Sequence, residues 1–580
     1  MHVLLIQPPI HDFYQTAVRT QPLGLAYLAA ALRDAGHTVT LLDCQPPGVR
    51  TPASLPPALA EVQRFYPKKD ISPFKLHSKY YRFGLSLRSI ADKIRIVQPD
   101  AVGISCQYTP YVNDVMEVAA LVKSILPAKP VIVGGAHASA LPGHVLGSPS
   151  IDYVVIGEGE RTLVSLLGCI QRGEQPDYVP GIAFKNGTAM HLTQPAGFIE
   201  NLDEMPFPAR DLLGLHRYTV RGRPYTMVLT GRGCPYGCTY CSVAAVMGRK
   251  VRLRSPENIV AEIRHCIERY GITIFDIEDD HFTADPRRAE DILELLIQSF
   301  GENALELYAM NGLSLLSLNK RLLAAMKRAG FRKLDLALGC TTPSEGRIAG
   351  RRVNRGAATR IIREVDRLGI PSTTYVIIGM PGQRLRDMVA GIAYLAGLPT
   401  RIGPSVFYPS PGSTLYAVLA KEHALSDDFS VLRSSIFPSV PHTCSRLELV
   451  TLVRLVRWIN WIKQMLARHH EAAMQLSRLF HDARFCLVPT LEMCERIASE
   501  GSVVHRFPSV LHGDDAGRLL TGMLLQSGVF CGLRRCRQKE TQGIVYELFA
   551  YETAEAVVQE FLHGPRDPLI AAVTVSERRA

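Results

Sequence analysis

Gly231-Arg-Gly-Cys-Pro-Tyr-Gly-Cys-Thr-Tyr-Cys-Ser242, GRGCPYGCTYCS in one-letter form, places Cys234, Cys238 and Cys241 within eight residues, with no fourth cysteine near them. Thiolate is a soft ligand that suits zinc or iron–sulfur centres. Structural zinc takes four ligands, usually as paired C-x2-C units, and this C-x3-C-x2-C run has no second pair. Gly231, Gly233 and Gly237 make a loop able to wrap round a bulky cluster. A 4Fe–4S cluster held by three cysteines keeps one iron open, and an open iron can chelate a substrate or cofactor.

The loop follows an apolar strand, TMVLT, and opens a series of strand–helix units. SPENIVAEIRHCIERYG leads to ITIFDIEDD, RRAEDILELLIQSF to ALELYAMNG, NKRLLAAMKRAG to KLDLALGC, ATRIIREVDRLG to STTYVIIGMPG, and DMVAGIAYLAGL to IGPSVFYPSPG. Six strands alternating with helices predict a partial (β/α)6 barrel over 223–424. The cysteine loop then lies on the carboxyl-end face, where such barrels place chemistry.

Upstream, residues 1–165 also alternate. HVLLIQP, TVTLLD, DAVGISC, PVIVGG and IDYVVIGEGE read as strands, and LGLAYLAAALRDAG and VNDVMEVAALVKSIL as helices. Continuous Val/Ile/Leu runs between helices predict parallel strands covered on both faces, a doubly wound (Rossmann-like) domain. Ligands of such sheets bind beyond the carboxyl ends of the strands. Those ends carry Gln7-Pro8-Pro9, Ser105-Cys106-Gln107, Gly134-Gly135-Ala136-His137 and Gly157-Glu158-Gly159. Residues 166–222, with NLDEMPFPARDLL, read as a linker wrapping between domains. Residues 425–580 read as a smaller α+β domain with one long helical stretch and no catalytic signature.

The chain of 580 residues is 47% hydrophobic, enough for several cores, and carries a net charge of +11. The basic residues are scattered. Short Arg-rich runs at 249–254 and 347–355 read as solvated surface or attraction to anionic ligands in preference to a nucleic-acid face. The N-terminus lacks a basic n-region and a cleavage site, and no apolar run reaches the length of a membrane span. Thirteen cysteines, an odd number, fit reduced thiols in the cytoplasm better than a disulfide framework. Cys486, Cys494, Cys531 and Cys536 have irregular spacing and read as buried free thiols.

At its cysteine spacing the chain resembles the radical SAM superfamily. The resemblance implies that Cys234, Cys238 and Cys241 hold a 4Fe–4S cluster whose open iron binds S-adenosylmethionine, and that one electron cleaves the sulfonium to a 5′-deoxyadenosyl radical. It implies SAM contacts from Tyr240 before the last cysteine, from Glu278, Asp279 or Asp280 in IFDIEDDHF, and from Ile378, Gly379 and Gly382 in YVIIGMPGQ. Many relatives carry a Glu-Ser-Gly-Ser-like run after the fourth strand. Here it reads LGCTTPSE, with Cys340 in the glutamate position and Thr341, Thr342 or Ser344 left to offer hydroxyls.

The leading α/β domain resembles the cobalamin-binding branch of that superfamily, and the resemblance covers roughly residues 1–420. It implies corrinoid contacts from Pro8, Pro9, Ser105, Gln107, Gly134, Gly135, Ala136, His137, Gly157, Glu158 and Gly159. The loop after the first strand, QPPIHDFY, lacks the Asp-x-His-x-x-Gly pattern whose histidine ligates cobalt elsewhere. His11 and His137 are therefore expected beside the cofactor or at the surface, not on the metal.

The function implied is a cobalamin-dependent radical SAM methyltransferase acting on an unactivated carbon. Cobalamin takes a methyl from one S-adenosylmethionine, and a radical made from a second opens a substrate C–H bond to receive it. A cyclase, a ring-rearranging enzyme or a phosphorus methylase on the same scaffold is the alternative, and a non-catalytic cobalamin or cluster sensor the second. A tRNA methylthiotransferase would need a third cysteine in the first domain, where only Cys44 and Cys106 occur. No residue stands out as a catalytic acid or base. The expected partners are a small-molecule or peptide substrate and an external flavodoxin- or ferredoxin-like electron donor, with nucleic acid not expected.

Overall fold

The computed structural model describes residues 1–468 apart from 17–20, 66–74, 78, 188, 439, 441 and 442, together with 502–506, 531–537, 544–550, 556, 557 and 560. The first sheet contains β1 (His2–Gln7), β2 (Thr38–Asp43), β3 (Ala101–Ser105), β4 (Val131–Gly134) and β5 (Tyr153–Val155), all parallel in the order β2-β1-β3-β4-β5. Along β1 the side chains alternate between two cores. Leu4 and Ile6 pack with helices α2 (Leu87–Val97) and α3 (Val112–Ile125). Val3 and Leu5 pack with α1 (Leu23–Asp34) and α4 (Gly159–Arg172). A strand buried on both faces has no polar side to show, which is why HVLLIQ reads as a continuous apolar run. The chain leaves β1 toward β2 on one side and returns to β3 on the other, so a crevice opens at the carboxyl ends of β1 and β3.

Residues 182–192, within the stretch expected to be a linker, extend this sheet. β6 (Ile182–Asn186) and β7 (Ala189–Leu192) add antiparallel strands at the β5 edge, where Ile182, Ala183 and Phe184 are buried.

The second unit has six parallel strands: β8 (Arg223–Val228), β9 (Ile274–Ile277), β10 (Glu306–Tyr308), β11 (Leu334–Gly339), β12 (Ser372–Ile378) and β13 (Arg401–Val406). They hydrogen-bond as two runs, β8-β9-β10 and β11-β12-β13, and a single bridge between Leu307 and Phe331 links the runs. Helices α5 (Pro256–Tyr270), α6 (Pro286–Phe300), α7 (Lys320–Ala329), α8 (Arg355–Arg367) and α9 (Leu385–Ala396) alternate with them. Ser255, Asp285, Asn319 and Asn354 cap the first four of these helices through side-chain oxygens. This is the partial (β/α)6 architecture that the alternation predicts.

After α10 (Thr414–Lys421), α11 (Arg446–Arg468) lies against β13, the last strand. Asn460 accepts from the Ile402 N–H at 2.8 Å and donates to its carbonyl at 2.7 Å. Lys463 Nζ donates to the carbonyls of Leu395, Leu398 and Thr400 at 2.7–2.8 Å, at the end of α9 and just beyond it. The helix thus closes an edge that would otherwise leave backbone groups unpaired. Farther on, 502–506, 544–550 and 531–537 form a three-stranded antiparallel sheet in that order. Cys486 and Cys494 lie outside the described residues; Cys531 and Cys536 fall in the strand Cys531–Arg537.

Candidate active site

The cysteine loop is pinned at three places. Gly231 and Arg232 pair antiparallel with Leu253 and Arg252. Gly233 has φ +90°, and a Cβ there would sit 2.5 Å from the Lys250 carbonyl, so only glycine fits. Thr239 donates through N to Ala349 O at 3.1 Å and through Oγ1 to Ile348 O at 2.7 Å. Cys234, Cys238 and Cys241 are all partly exposed. Burial pushes the Cys241 thiol up to about 11 and raises that of Cys234, so a metal centre must displace protons to bind. Among the described residues no group of three His, Cys, Asp or Glu side chains is set for a single metal ion. Three thiols on one glycine-hinged loop, without a fourth ligand, suit a wider cluster with one open iron.

The three acidic residues after β9 have separate fates. The Asp279 carboxylate is buried and accepts from Thr230, from its N–H at 2.6 Å and from its hydroxyl. It is committed to holding the end of β8. Asp280 accepts from the Gly233 N–H at 3.1 Å and lines a cavity. Glu278 is half-buried, and its N–H donates to Val228 O. Asp280 is therefore the one that faces both the cysteine loop and open space. Tyr240 accepts a hydrogen bond on its hydroxyl from Arg351 at 3.0 Å.

The hydroxyls expected to meet a ligand after β11 are used internally. Thr342 caps the short helix Pro343–Ala349 in a capping box with Glu345. Thr341 donates to Glu345 Oε2 through N at 2.8 Å and through Oγ1 at 3.1 Å, and Ser344 donates to Asp387 at 3.0 Å. Glu345, buried, also accepts from Gln383 Nε2 at 2.7 Å and so ties this loop to the one after β12. The Cys340 thiol points to the Glu345 carbonyl. Ile378, the last residue of β12, is buried. Gly379 has φ +85°, and a Cβ there would sit 2.9 Å from Leu449 Cδ2, so its smallness serves the packing of α11. Gly382 has φ +75° and more room.

A cavity of about 350 Å³ separates the two parallel sheets. Gln107, Ala136 and His137 from the carboxyl ends of β3 and β4 form one wall, and Ser242, Val243, Val246, Met247 and Asp280 form the other. His137 is buried between Thr109 Oγ1 at 3.0 Å, His144 at 3.4 Å and the ring of Phe429. Burial lowers its pKa to about 4, so it is neutral. His11 is tied through Nδ1 to Asp114 and does not line the cavity.

Other expected corrinoid contacts are elsewhere. Pro8 and Pro9 are buried in the β1 loop, and the Pro8 carbonyl accepts from Gln45 at 2.7 Å. Ser105 and Gly134 are half-buried strand ends outside the cavity lining. Gly135, at φ +114°, is required because a Cβ would sit 2.8 Å from the Cys106 carbonyl. Gly157 faces open space, and Gly159 packs on Leu28. Glu158 is an ion-pair centre: its carboxylate accepts from Arg232 at 2.9 Å, from Arg252 at 2.7 Å and from the Ile199 N–H at 2.7 Å. Burial alone would raise its pKa, but Arg232 and the hydrogen bonds hold it low. Its charge is spent binding the first sheet to the strand pair that frames the cysteines.

Several cavity residues carry no local sequence signal. Tyr14, Tyr108, Tyr111 and Tyr408 line it, together with Asp12 and Arg433. Arg433 pairs with Asp12 at 3.3 Å and donates to the carbonyls of His11 at 2.7 Å and Pro110 at 2.9 Å, while Ser435 donates to Asp12 at 2.9 Å.

Two family models match. The radical SAM superfamily model covers residues 228–394 and the B12 binding domain model covers 76–167. The chain is 28% identical over 420 residues to an uncharacterized methyltransferase of Pyrococcus horikoshii, spanning 72% of this chain and 82% of that protein. It is 27% identical over 433 residues to cytidylyl-2-hydroxyethylphosphonate methyltransferase of Streptomyces wedmorensis, spanning 68% and 76%. Its fold matches TsrM of Kitasatospora setae, a radical S-adenosylmethionine methyltransferase solved with cobalamin and a [4Fe–4S] cluster, at TM-score 0.55 and 18% identity over 73% of this chain and 75% of that one. The chain thus carries a radical SAM domain with a three-cysteine loop and a B12 binding domain whose sheet faces it across a shared cavity, and over both it is similar to cobalamin-dependent radical SAM enzymes.

Proposed function

We propose that the chain is a methyltransferase that places a methyl group on an unactivated position of a small molecule, at the cavity between its two sheets. The observation that carries this is the composition of that cavity: one wall from the carboxyl end of the B12-type sheet, the other from the residues that follow Cys241. When bound, a three-cysteine 4Fe–4S cluster with S-adenosylmethionine supplies a radical that opens a C–H bond, and cobalamin supplies a transferable methyl group. Cys234, Cys238 and Cys241 would hold the cluster, and Asp280 and Tyr240 would face the methionine and adenosine ends. Gln107, Ala136 and His137 would seat the corrinoid.

The chain's own contribution is placement and exclusion of water. Val243, Val246, Met247, Pro110 and Pro411 give part of the wall an apolar surface beside four tyrosines, which would hold the reacting groups in place and, once ligands fill the cavity, keep water from reactive carbon. Neutral His137, with both ring nitrogens occupied, offers no proton to a radical centre. An external one-electron donor completes the requirements. No helix among the described residues is long and apolar enough to cross a membrane.

The test is anaerobic reconstitution of the full chain with iron, sulfide and hydroxocobalamin, followed by incubation with S-adenosylmethionine, a reductant and small-molecule extract. Formation of 5′-deoxyadenosine together with a product gaining one CH2 is the expected result. Cleavage with loss of hydrogen and no added carbon would make the enzyme a cyclase. Cobalamin binding without any cleavage would overturn the enzymatic reading.

A further inference from the structure

We infer that the arginine-lined cleft beside the cysteine loop is the docking face for a small acidic one-electron carrier protein. The inference rests on the proposed function, which needs an electron delivered to the cluster. The cleft is open, about 450 Å³, and three of its lining residues are Arg347, Arg351 and Arg352, with no carboxylate among them. Arg351 turns inward to Tyr240. Arg347 and Arg352 are exposed, and neither has an ion-pair partner among the described residues. Arg249, also exposed, lies across the loop, with its guanidinium 3.7 Å from where a Gly237 Cβ would be.

The cysteine loop sits directly under this patch. Gly350, a lining residue, approaches the Gly237 carbonyl so closely that a Cβ would be 2.9 Å from it. Thr239, next to Cys238, bonds to the carbonyls of Ile348 and Ala349. An electron arriving at the cleft therefore meets the backbone of the cluster loop itself. Unpaired exposed guanidinium groups steer an acidic partner and orient it on arrival. A nucleic-acid face would call for aromatic stacking platforms beside the charge, and no aromatic residue lines the cleft. The transfer is balanced simply: the carrier's reduced cofactor loses one electron, the cluster gains it, and no bond is made or broken.

The experiment uses the reconstituted full chain, the double variant Arg347→Glu/Arg352→Glu, and Arg88→Glu, an exposed change on α2, as control. The readout is 5′-deoxyadenosine formation driven either by reduced flavodoxin or by dithionite with methyl viologen. At low ionic strength and limiting flavodoxin, the double variant should lose about tenfold or more in rate, with the difference shrinking as salt rises. With dithionite it should match wild type, and the control should match under both. Equal loss with both reductants would place the arginines in the S-adenosylmethionine site or the fold, and no loss with flavodoxin would remove the docking face. Loss of RNA retention with intact flavodoxin-driven rates would reassign the patch to nucleic acid. If no turnover occurs with any reductant, the proposed function fails first. Flavodoxin binding by calorimetry, weakened in the double variant or not, then still decides the docking inference.

Discussion

Glu158 shows how a residue's type and its role can part. Its place at a strand end, between two glycines, fits a ligand loop. Its carboxylate instead meets two guanidinium groups that are themselves buried, Arg232 and Arg252. Removing one partner of such a network leaves uncompensated buried charge, which costs about 3–5 kcal/mol. Glu158→Ala should therefore lower the urea midpoint of the apoprotein strongly, while any folded fraction keeps its cobalamin affinity. A variant of normal stability that has lost cobalamin would return Glu158 to the cofactor. Asp279 gives a pH signature. Burial pushes its carboxyl up to about 6, from an ordinary 3.8. Between those values the folded chain keeps a proton that the unfolded chain has released, so this residue's contribution is present at low pH and is lost as pH rises to about 6. The difference amounts to about 3 kcal/mol. The stability of wild type relative to Asp279→Asn should fall across that window and stay flat above it; parallel curves would show that Asp279 is ionised throughout.

At the scale of elements, the cysteine loop is the most legible part of the chain because everything it needs is local. Spacing, glycines and the preceding strand all lie within twenty residues or so of one another. Gly233→Ala forces a Cβ to 2.5 Å from backbone, so it should cut the iron bound after reconstitution severalfold while leaving the three thiols in place; iron and sulfide assays report it. Full iron content would mean that the loop can shift without cost. The T-x-x-E spacing of Thr342 and Glu345 is that of a capping box, but in the run LGCTTPSE these residues read only as a source of ligand hydroxyls, and the helix start emerges from the structure. The same hydroxyls that a family pattern offers to a ligand are consumed by the helix start and by Glu345. The Asp12–Arg433 pair was not legible at all, since its partners are 421 positions apart in the sequence and only the docking of 428–436 onto the first domain brings them together. Replacing Arg433 by Met leaves Asp12 buried without its cation, although Tyr111 and Ser435 remain as donors. Hydrogen exchange should then rise in 428–436 while β1 to β5 stay protected.

For the whole molecule, the site exists only where three parts meet: the carboxyl end of the first sheet, the cysteine side of the partial barrel, and the segment 408–435 that closes the rim. Periodicity gave the two parallel sheets, because strands buried on both faces and helices between them leave a strong pattern. It could not give their mutual placement, which depends on long-range ion pairs such as Glu158 with Arg232. That placement bears on the metal. His11, the one histidine in the β1 loop, is held by Asp114 and stacked 6.1 Å from Tyr80, outside the cavity. His137 lines the cavity but has both nitrogens engaged. His137 could free a nitrogen for a metal only by giving up a hydrogen bond, worth about 1 kcal/mol net and more when a partner is stranded, whereas His11, held by Asp114 through Nδ1 alone, is set apart by its place outside the cavity lining. The cob(II)alamin form of the reconstituted protein should therefore show electron paramagnetic resonance lines without the three-fold splitting of an axial nitrogen, and His11→Ala should leave the spectrum unchanged. A clear three-line pattern lost in His11→Ala would mean that the β1 loop rearranges on binding. The same pattern lost only in His137→Ala would mean that the Thr109 and His144 contacts are exchanged for the metal.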